Sequence, residues 1–166
     1  GFIDVGGTVI HCHNRNGHGT LTLREAFAQS CNPYFIDLGL SLGKEAIEST
    51  AYKMGLFRHA GVSLLPCDKG VFPAGTLYPA ALANLSVGQG DMLLSPVEVC
   101  SMISTAVTGK YRKPSLVKSL SNGGMLARYE KDGEAALKDE TVTALKSLLV
   151  SCVADGTGYR AAGDIS

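Results

Sequence analysis

Two helical stretches broken at a single point constrain this chain more than any other feature. Residues 20–39 read Thr20-Leu21-Thr22-Leu23-Arg24-Glu25-Ala26-Phe27-Ala28-Gln29-Ser30-Cys31-Asn32-Pro33-Tyr34-Phe35-Ile36-Asp37-Leu38-Gly39. Leu23, Ala26 and Phe27 share one helical face. Thr22 with Glu25 three residues on fits a capping box, so a helix is expected over 21–29 with Thr20 or Thr22 as its N-cap. Pro33 suits the first turn of a second helix, where its missing N–H costs nothing. That helix should run to about Leu42, with Phe35, Leu38 and Leu42 inward, and stop at Gly43. Between the two lie a hydroxyl, Ser30, and a carboxamide, Asn32, placed to aim two polar side chains into a cleft. Taken as a tripeptide alone, Ser-Cys-Asn is better explained as helix-capping chemistry, since Ser and Asn are common at helix ends.

The rest of the chain reads as an α+β arrangement, mostly helical with few short strands. Residues 1–19 look like a short strand followed by a polar loop, and 44–54 like a third helix ended by Gly55. Residues 56–78 are irregular, 79–85 form a short helix, and 86–90 turn. Ser95-Pro96 opens the best helix: Ser as N-cap, Pro next, Glu98 in the first turn, then an apolar stripe of Val99, Met102, Ile103, Ala106 and Val107 up to Gly109. Residues 111–131 read as extended segments around the turn Ser121-Asn122-Gly123-Gly124. A final helix spans 139–153, with Val142, Leu145, Leu148 and Leu149 on one face, and Asp155-Gly156-Thr157-Gly158 closes it.

Composition excludes several function classes. The 15 Lys and Arg balance the 15 Asp and Glu, which removes any electrostatic argument for nucleic acid or an anionic membrane. With 166 residues and 45% apolar content the chain is about one domain with a sizeable core. No apolar run approaches the roughly 20 residues of a membrane span. The start lacks both Met and a signal peptide, and both ends read as cuts through a longer protein. Five cysteines cannot all pair within one chain. Cys100 and Cys152 fall on apolar helix faces and read as core thiols, while one disulfide involving Cys12, Cys31 or Cys67 stays open.

Context changes the reading of Ser30-Cys31-Asn32. Leu23-Arg24-Glu25-Ala26-Phe27 precedes it and Phe35 follows. Then come, in order, Gly39-Leu40-Ser41-Leu42-Gly43, Tyr52-Lys53-Met54-Gly55-Leu56, Leu85-Ser86-Val87-Gly88-Gln89-Gly90 with Leu94-Ser95-Pro96-Val97-Glu98, the run from Thr108 to Val117, and Gly156-Thr157-Gly158. This series resembles the penicillin-binding proteins, the serine transpeptidases that cross-link peptidoglycan, over nearly the whole chain. The resemblance implies a penicillin-binding and β-lactamase-like transpeptidase fold. It implies that Ser30 relays protons between a catalytic Lys and a leaving amine, and that Asn32 holds that Lys and the substrate amide. The family's other two elements are Ser-x-x-Lys, whose Ser attacks and whose Lys takes its proton, and Lys-Thr-Gly on an edge strand, which binds the substrate.

The chain departs from that pattern. No Ser-x-x-Lys occurs among the 29 residues before Ser30 and no Lys-Thr-Gly occurs anywhere. The formal matches Ser41–Lys44 and Ser115–Lys118 lie downstream of Ser30, where the family has no nucleophile. Residues 1–166 are therefore expected to be a partial transpeptidase domain, inactive alone. The parent would be a class B-like D,D-transpeptidase acting on stem peptides ending in D-Ala-D-Ala. It would bind β-lactams and cell-wall synthesis proteins, need no cofactor, and work on the outer face of the bacterial cytoplasmic membrane through an anchor outside this soluble piece. Self-association of the piece is plausible because cutting a domain bares apolar surface. A β-lactam sensor or non-catalytic scaffold of the same fold is the alternative.

His11, Cys12, His13 and His18 offer four ligands for Zn²⁺. Neighbours on a strand point to opposite faces, so His11 and Cys12 should not share an ion, and the stretch is expected to be a polar rim with no metal. Gly88-Gln89-Gly90 lacks the Gly-Lys-Ser/Thr ending of a phosphate loop and reads as a tight turn. The carboxylates form no convincing catalytic pair.

Overall fold

A computed structural model of the chain describes residues 1–58, 69–115, 119–122, 125–128 and 133–163. In chain order the elements are β1 (Phe2–Val5), β2 (Thr8–His11), α1 (Leu23–Ala28), α2 (Asn32–Leu42), α3 (Lys44–Lys53), α4 (Pro79–Ser86), α5 (Pro96–Thr108), β3 (Lys110–Tyr111), β4 (Ser119–Asn122), β5 (Met125–Arg128), β6 (Glu134–Ala135), α6 (Asp139–Asp155) and a 3₁₀ turn (Tyr159–Ala161). The helices expected from periodicity are all present. β4 and β5 pair antiparallel with Asn122 opposite Met125, as the expected hairpin requires. Gly123 and Gly124 of its turn lie outside the described residues, as does Cys67.

The polar loop expected after the first strand is instead a second strand. β1 and β2 form a hairpin with Val5 opposite Thr8. Gly6 and Gly7 occupy its two-residue turn at φ 60° and 88°. Both central residues of this turn type need positive φ, which glycine adopts without penalty. The signal was the Gly-Gly pair between two short apolar runs.

The chain divides into two units. The first contains β1, β2, α1, α2, α4 and most of α6. Val5, Ile36 and Ala83 are buried at its centre, with Ile3, Ile10, Leu40 and Val87 packed around them. A second cluster joins Cys12, Ala26 and Cys31 to Leu21, Tyr34 and Phe35. α2 is rotated from its expected phase: Ile36 and Gly39 are its buried residues, while Leu38 and Leu42 are exposed. The cause is the close approach of α4. A Cβ on Gly39 would stand 1.9 Å from Ser86 Oγ and 2.4 Å from Ser86 Cβ, so α4 can seat only where α2 has no side chain. The face holding Gly39 thereby becomes the inner one.

The second unit centres on Glu98, which is fully buried. Ser95 caps α5 and Glu98 returns the bond in a capping box. The same carboxylate also accepts from the Phe57 N–H at 2.9 Å and from the Gly70 N–H at 2.9 and 3.0 Å, tying two loop positions to the helix start. Burial alone would raise the Glu98 carboxyl. The donors from Ser95, Gly70 and Phe57 outweigh that and hold it below the usual carboxylate range. Buried with it on α5 are Ser101 and Thr105, not the expected apolar stripe; Ile103 and Val107 are exposed. Thr105 Oγ1 donates to the Ser101 carbonyl at 2.8 Å, so that buried hydroxyl is satisfied within the helix. Cys100, expected in the core, lies off this buried row and is exposed, while Cys152 is half-buried. Arg58 lies over the rings of Tyr52 and Tyr111 and pairs with Glu134 at 2.7 Å.

Two outcomes test this packing. G39A is expected to lower stability by about 1–3 kcal/mol although Ala is about 1 kcal/mol the better helix former. Adding S86G should recover part of that loss in denaturant unfolding. Equal stability of G39A and wild type would contradict the α2–α4 contact. E98Q replaces a charged acceptor with a neutral amide and should cost about 1–2 kcal/mol at neutral pH. A carboxylate whose pKa is lowered on folding stabilises above its unfolded value, about 4.3, and loses that contribution as pH falls through the folded value. The gap between wild type and E98Q in urea titrations should therefore hold above about pH 5 and shrink below about pH 4.

Candidate active site

The break between α1 and α2 is built by carbonyl satisfaction. A helix leaves its last four carbonyls without intrahelical partners. In α1 each finds one. Gln29 N–H donates to Glu25 O at 2.9 Å, Cys31 N–H to Ala26 O at 3.0 Å, and Ser30 N–H to Phe27 O at 3.2 Å. The last two bonds are the 6→1 and 5→2 pair of a Schellman motif, which needs a left-handed residue just past the C-cap. That residue is Ser30, at φ 50°. Glycine is the ordinary occupant, and a side chain there costs about 1–2 kcal/mol. The fourth carbonyl, that of Ala28, accepts from the Thr157 N–H at 2.9 Å.

This geometry separates the three residues of the tripeptide. Cys31 is the N-cap of α2, buried, and makes no side-chain cap bond. Burial pushes its thiol up, and it touches the Cys12 thiol, so it serves as core. Ser30 on one side is exposed and Asn32 on the other is half-buried. Asn32 is the first residue of α2, Pro33 sits in the same turn, and none of the described hydrogen bonds engages the Asn32 carboxamide. Two polar groups flank one buried anchor, which is what Ser-x-Asn spacing achieves at a helix–helix break. Ser30 Oγ lies 3.0 Å from Thr157 Oγ1. Sequence reasoning placed Thr157 in the closing turn of α6 and in the Gly-Thr-Gly segment of the family resemblance, with no role at the site. Its flanking glycines, Gly156 and Gly158, were the available signal of a close backbone approach: a Cβ on Gly156 would stand 2.2 Å from Ala28 O.

Other sequence candidates are placed elsewhere. Ser41 Oγ donates to the Asp37 carbonyl at 2.9 Å and Lys44 Nζ to the Gly75 carbonyl at 2.5 Å, so each is engaged with backbone and they form no nucleophile–base pair. Lys118 lies outside the described residues. Gln89 is exposed, and its N–H caps α4 at Asn84 O, 2.9 Å away. Cys12 Sγ lies 3.4 Å from His18 Nδ1 and 3.8 Å from His13 Nδ1. These three residues bring donor atoms within 4.8 Å of one another. His11 stands apart with its ring against Phe2. Strand alternation separates His11 from Cys12 as expected, but β2 ends at His11, and past it Cys12 and His13 are free to converge. Three such donors suit Zn²⁺ and leave one tetrahedral position open.

A family model described as the penicillin binding protein transpeptidase domain matches residues 2–165. Stage V sporulation protein D of Bacillus subtilis is 31% identical over 97% of this chain and 26% of its own length. The D,D-transpeptidase domain of a peptidoglycan glycosyltransferase from Eggerthella lenta superposes with a TM-score of 0.85 at 22% identity, over 99% of this chain and 44% of that one. Penicillin-binding protein A of M. tuberculosis, solved as a penicillin G acyl-enzyme complex, superposes with a TM-score of 0.77 at 28% identity, over 91% of this chain and 37% of that one. The helical α+β fold is that of these domains. The chain spans about a quarter of the length of the curated relatives it matches.

The left-handed serine gives a direct test. S30G removes the Cβ that disfavours this conformation, whereas S30A keeps the Cβ and loses only the hydroxyl. S30G is expected to be more stable than S30A by about 1 kcal/mol in urea unfolding. Equal midpoints would show that residue 30 is not held left-handed in solution.

Proposed function

Because the chain belongs to the penicillin-binding protein transpeptidase family, we propose that it is part of a peptidoglycan D,D-transpeptidase, with Ser30 and Asn32 as one of the three elements of the active site. The observation that carries this reading is the left-handed Ser30 of the α1–α2 break. A conformation that glycine would adopt more cheaply is occupied by a residue with an exposed hydroxyl, and backbone strain of this kind gathers at functional sites. In the proposed reaction a serine of a Ser-x-x-Lys element attacks the carbonyl between the two terminal D-Ala residues of a stem peptide. The peptide C–N bond breaks, Ser30 passes the serine's proton to the departing D-Ala nitrogen, and an ester remains. An amine of a second stem then attacks the ester and restores the serine. Asn32 holds the substrate amide and the catalytic Lys. A β-lactam would acylate the same serine; the M. tuberculosis protein forms an acyl-enzyme with penicillin G.

Neither Lys-Thr-Gly nor a suitably placed Ser-x-x-Lys occurs in these 166 residues, so residues 1–166 are proposed to supply one element of a larger domain. The exposed apolar residues Leu38, Leu42, Ile103, Val107, Leu149 and Val150 would be covered by the remainder of that domain. No helix among the described residues is long and apolar enough to cross a membrane. The site would act outside the cytoplasmic membrane, where peptidoglycan lies.

The test uses the full-length protein that contains this chain, incubated with benzylpenicillin and followed by intact mass. One covalent adduct is expected. Proton-transfer groups contribute about 10²–10⁴-fold, so S30A should slow acylation on that scale, with N32A slowed as well. No adduct on folded protein, or S30A and N32A acylating at the wild-type rate, would overturn the proposal.

A further inference from the structure

We infer that Thr157 is a positioning residue for Ser30, giving its hydroxyl a fixed partner through which it can change between accepting and donating a hydrogen bond toward the reacting groups. The inference rests on the reading of Ser30 as the proton relay. Its own observation is the 3.0 Å contact between Ser30 Oγ and Thr157 Oγ1, two hydroxyls 127 residues apart in the chain.

Both hydroxyls stand on backbones anchored to the carbonyl end of α1, Ser30 through the Phe27 carbonyl and Thr157 through that of Ala28. Ser30 follows α1 in the Schellman motif, two residues after Ala28. Thr157 donates its N–H to Ala28 O at 2.9 Å, and its Oγ1 also lies 3.4 Å from that oxygen. The glycines on either side allow this approach. A Cβ on Gly156 would collide with Ala28 O, and one on Gly158 would press on Cys152 O and Sγ at 3.1 Å. The Gly158 N–H then returns to Cys152 O at 3.0 Å, fixing the turn to the end of α6. The hydroxyl pair is therefore held by main-chain bonds at both ends. Its separation does not depend on the Ser–Thr bond itself.

A relay hydroxyl takes a proton on a lone pair and gives up its own O–H proton in the same step, so it stays neutral throughout. With Ser30 donating to Thr157, Thr157 donates on to Ala28 O and the outward lone pairs of Ser30 are open to accept a hydrogen bond from the incoming donor. With Thr157 donating to Ser30, the Ser30 O–H points outward as a donor. The two arrangements differ only by rotation of two hydroxyls. No charge is created and no heavy atom moves. The Ala28 carbonyl is what makes the first arrangement available, because it gives the Thr157 proton an acceptor when Ser30 is donating.

The experiment measures benzylpenicillin acylation rates, against pH, in the full-length protein carrying T157V, T157A, T157S, S30A and S30A/T157V. T157V keeps the side-chain shape and the N–H to Ala28 O, so folding should persist; T157A serves if it does not. T157V or T157A is expected to slow acylation by roughly 10- to 100-fold, the size of one lost hydrogen bond in the reacting network. T157S is expected to return the rate to within about threefold of wild type. The double variant should be no slower than S30A, because Thr157 acts only through Ser30. Wild-type rates in T157V and T157A, failure of T157S to rescue, or additive losses in the double variant would overturn the inference. If S30A itself acylates normally, the reading of Ser30 as relay fails first, an outcome separate from any effect at Thr157.

Discussion

The unmet carbonyls at the end of α1 govern the candidate site. α1 is only six residues long, so its last four carbonyls are most of its acceptors, and each must be met outside the helix. Three are met within the next three residues, and meeting them in Schellman fashion forces residue 30 into the left-handed region. The fourth is met from the far end of α6 by Thr157. One requirement of backbone chemistry thus sets the conformation of Ser30, the start of α2 at Asn32, and the approach of the turn that carries the second hydroxyl.

Glycines decide where such approaches happen. Gly39 lets α4 seat on α2, and Gly156 lets the turn after α6 reach α1; in both places a Cβ would overlap atoms of the partner. Buried polar groups play the matching part in the second unit. Glu98 would be costly to bury alone, but its oxygens collect amide donors from Ser95, Phe57 and Gly70, and it becomes the point to which two loop positions are fastened. As a carboxylate, Glu98 adds charge to every bond it accepts.

Local elements were legible because their causes are local. The Thr22–Glu25 and Ser95–Glu98 capping boxes, Pro33 in a first turn and Gly109 after α5 all act within four residues, and each element begins or ends where they place it. The inner faces were less legible. Apolar periodicity on α2 and α5 marked Leu38, Leu42, Ile103 and Val107 as inward, and all are exposed. Periodicity records which face is apolar, whereas burial depends on which element arrives, and a glycine or a charged anchor can select a different face. Cys12 with His13 and His18 shows the same limit, since their convergence follows from where β2 ends.

The sequence by itself determined the family and the α+β helical class, and pointed to Ser30 and Asn32 as the proposed site, because motif order and capping chemistry are written in short windows. The left-handed Ser30 is set locally, by the bonds that meet the Ala26 and Phe27 carbonyls, at a position where glycine is the ordinary occupant. Only the tertiary structure decided that Cys31 is an anchor packed against Cys12 and that Thr157 meets Ser30. The Thr157 contact depends on an acceptor at residue 28 and a donor at residue 157, and a contact between residues so far apart is fixed by packing and hydrogen-bond satisfaction, which no local window contains.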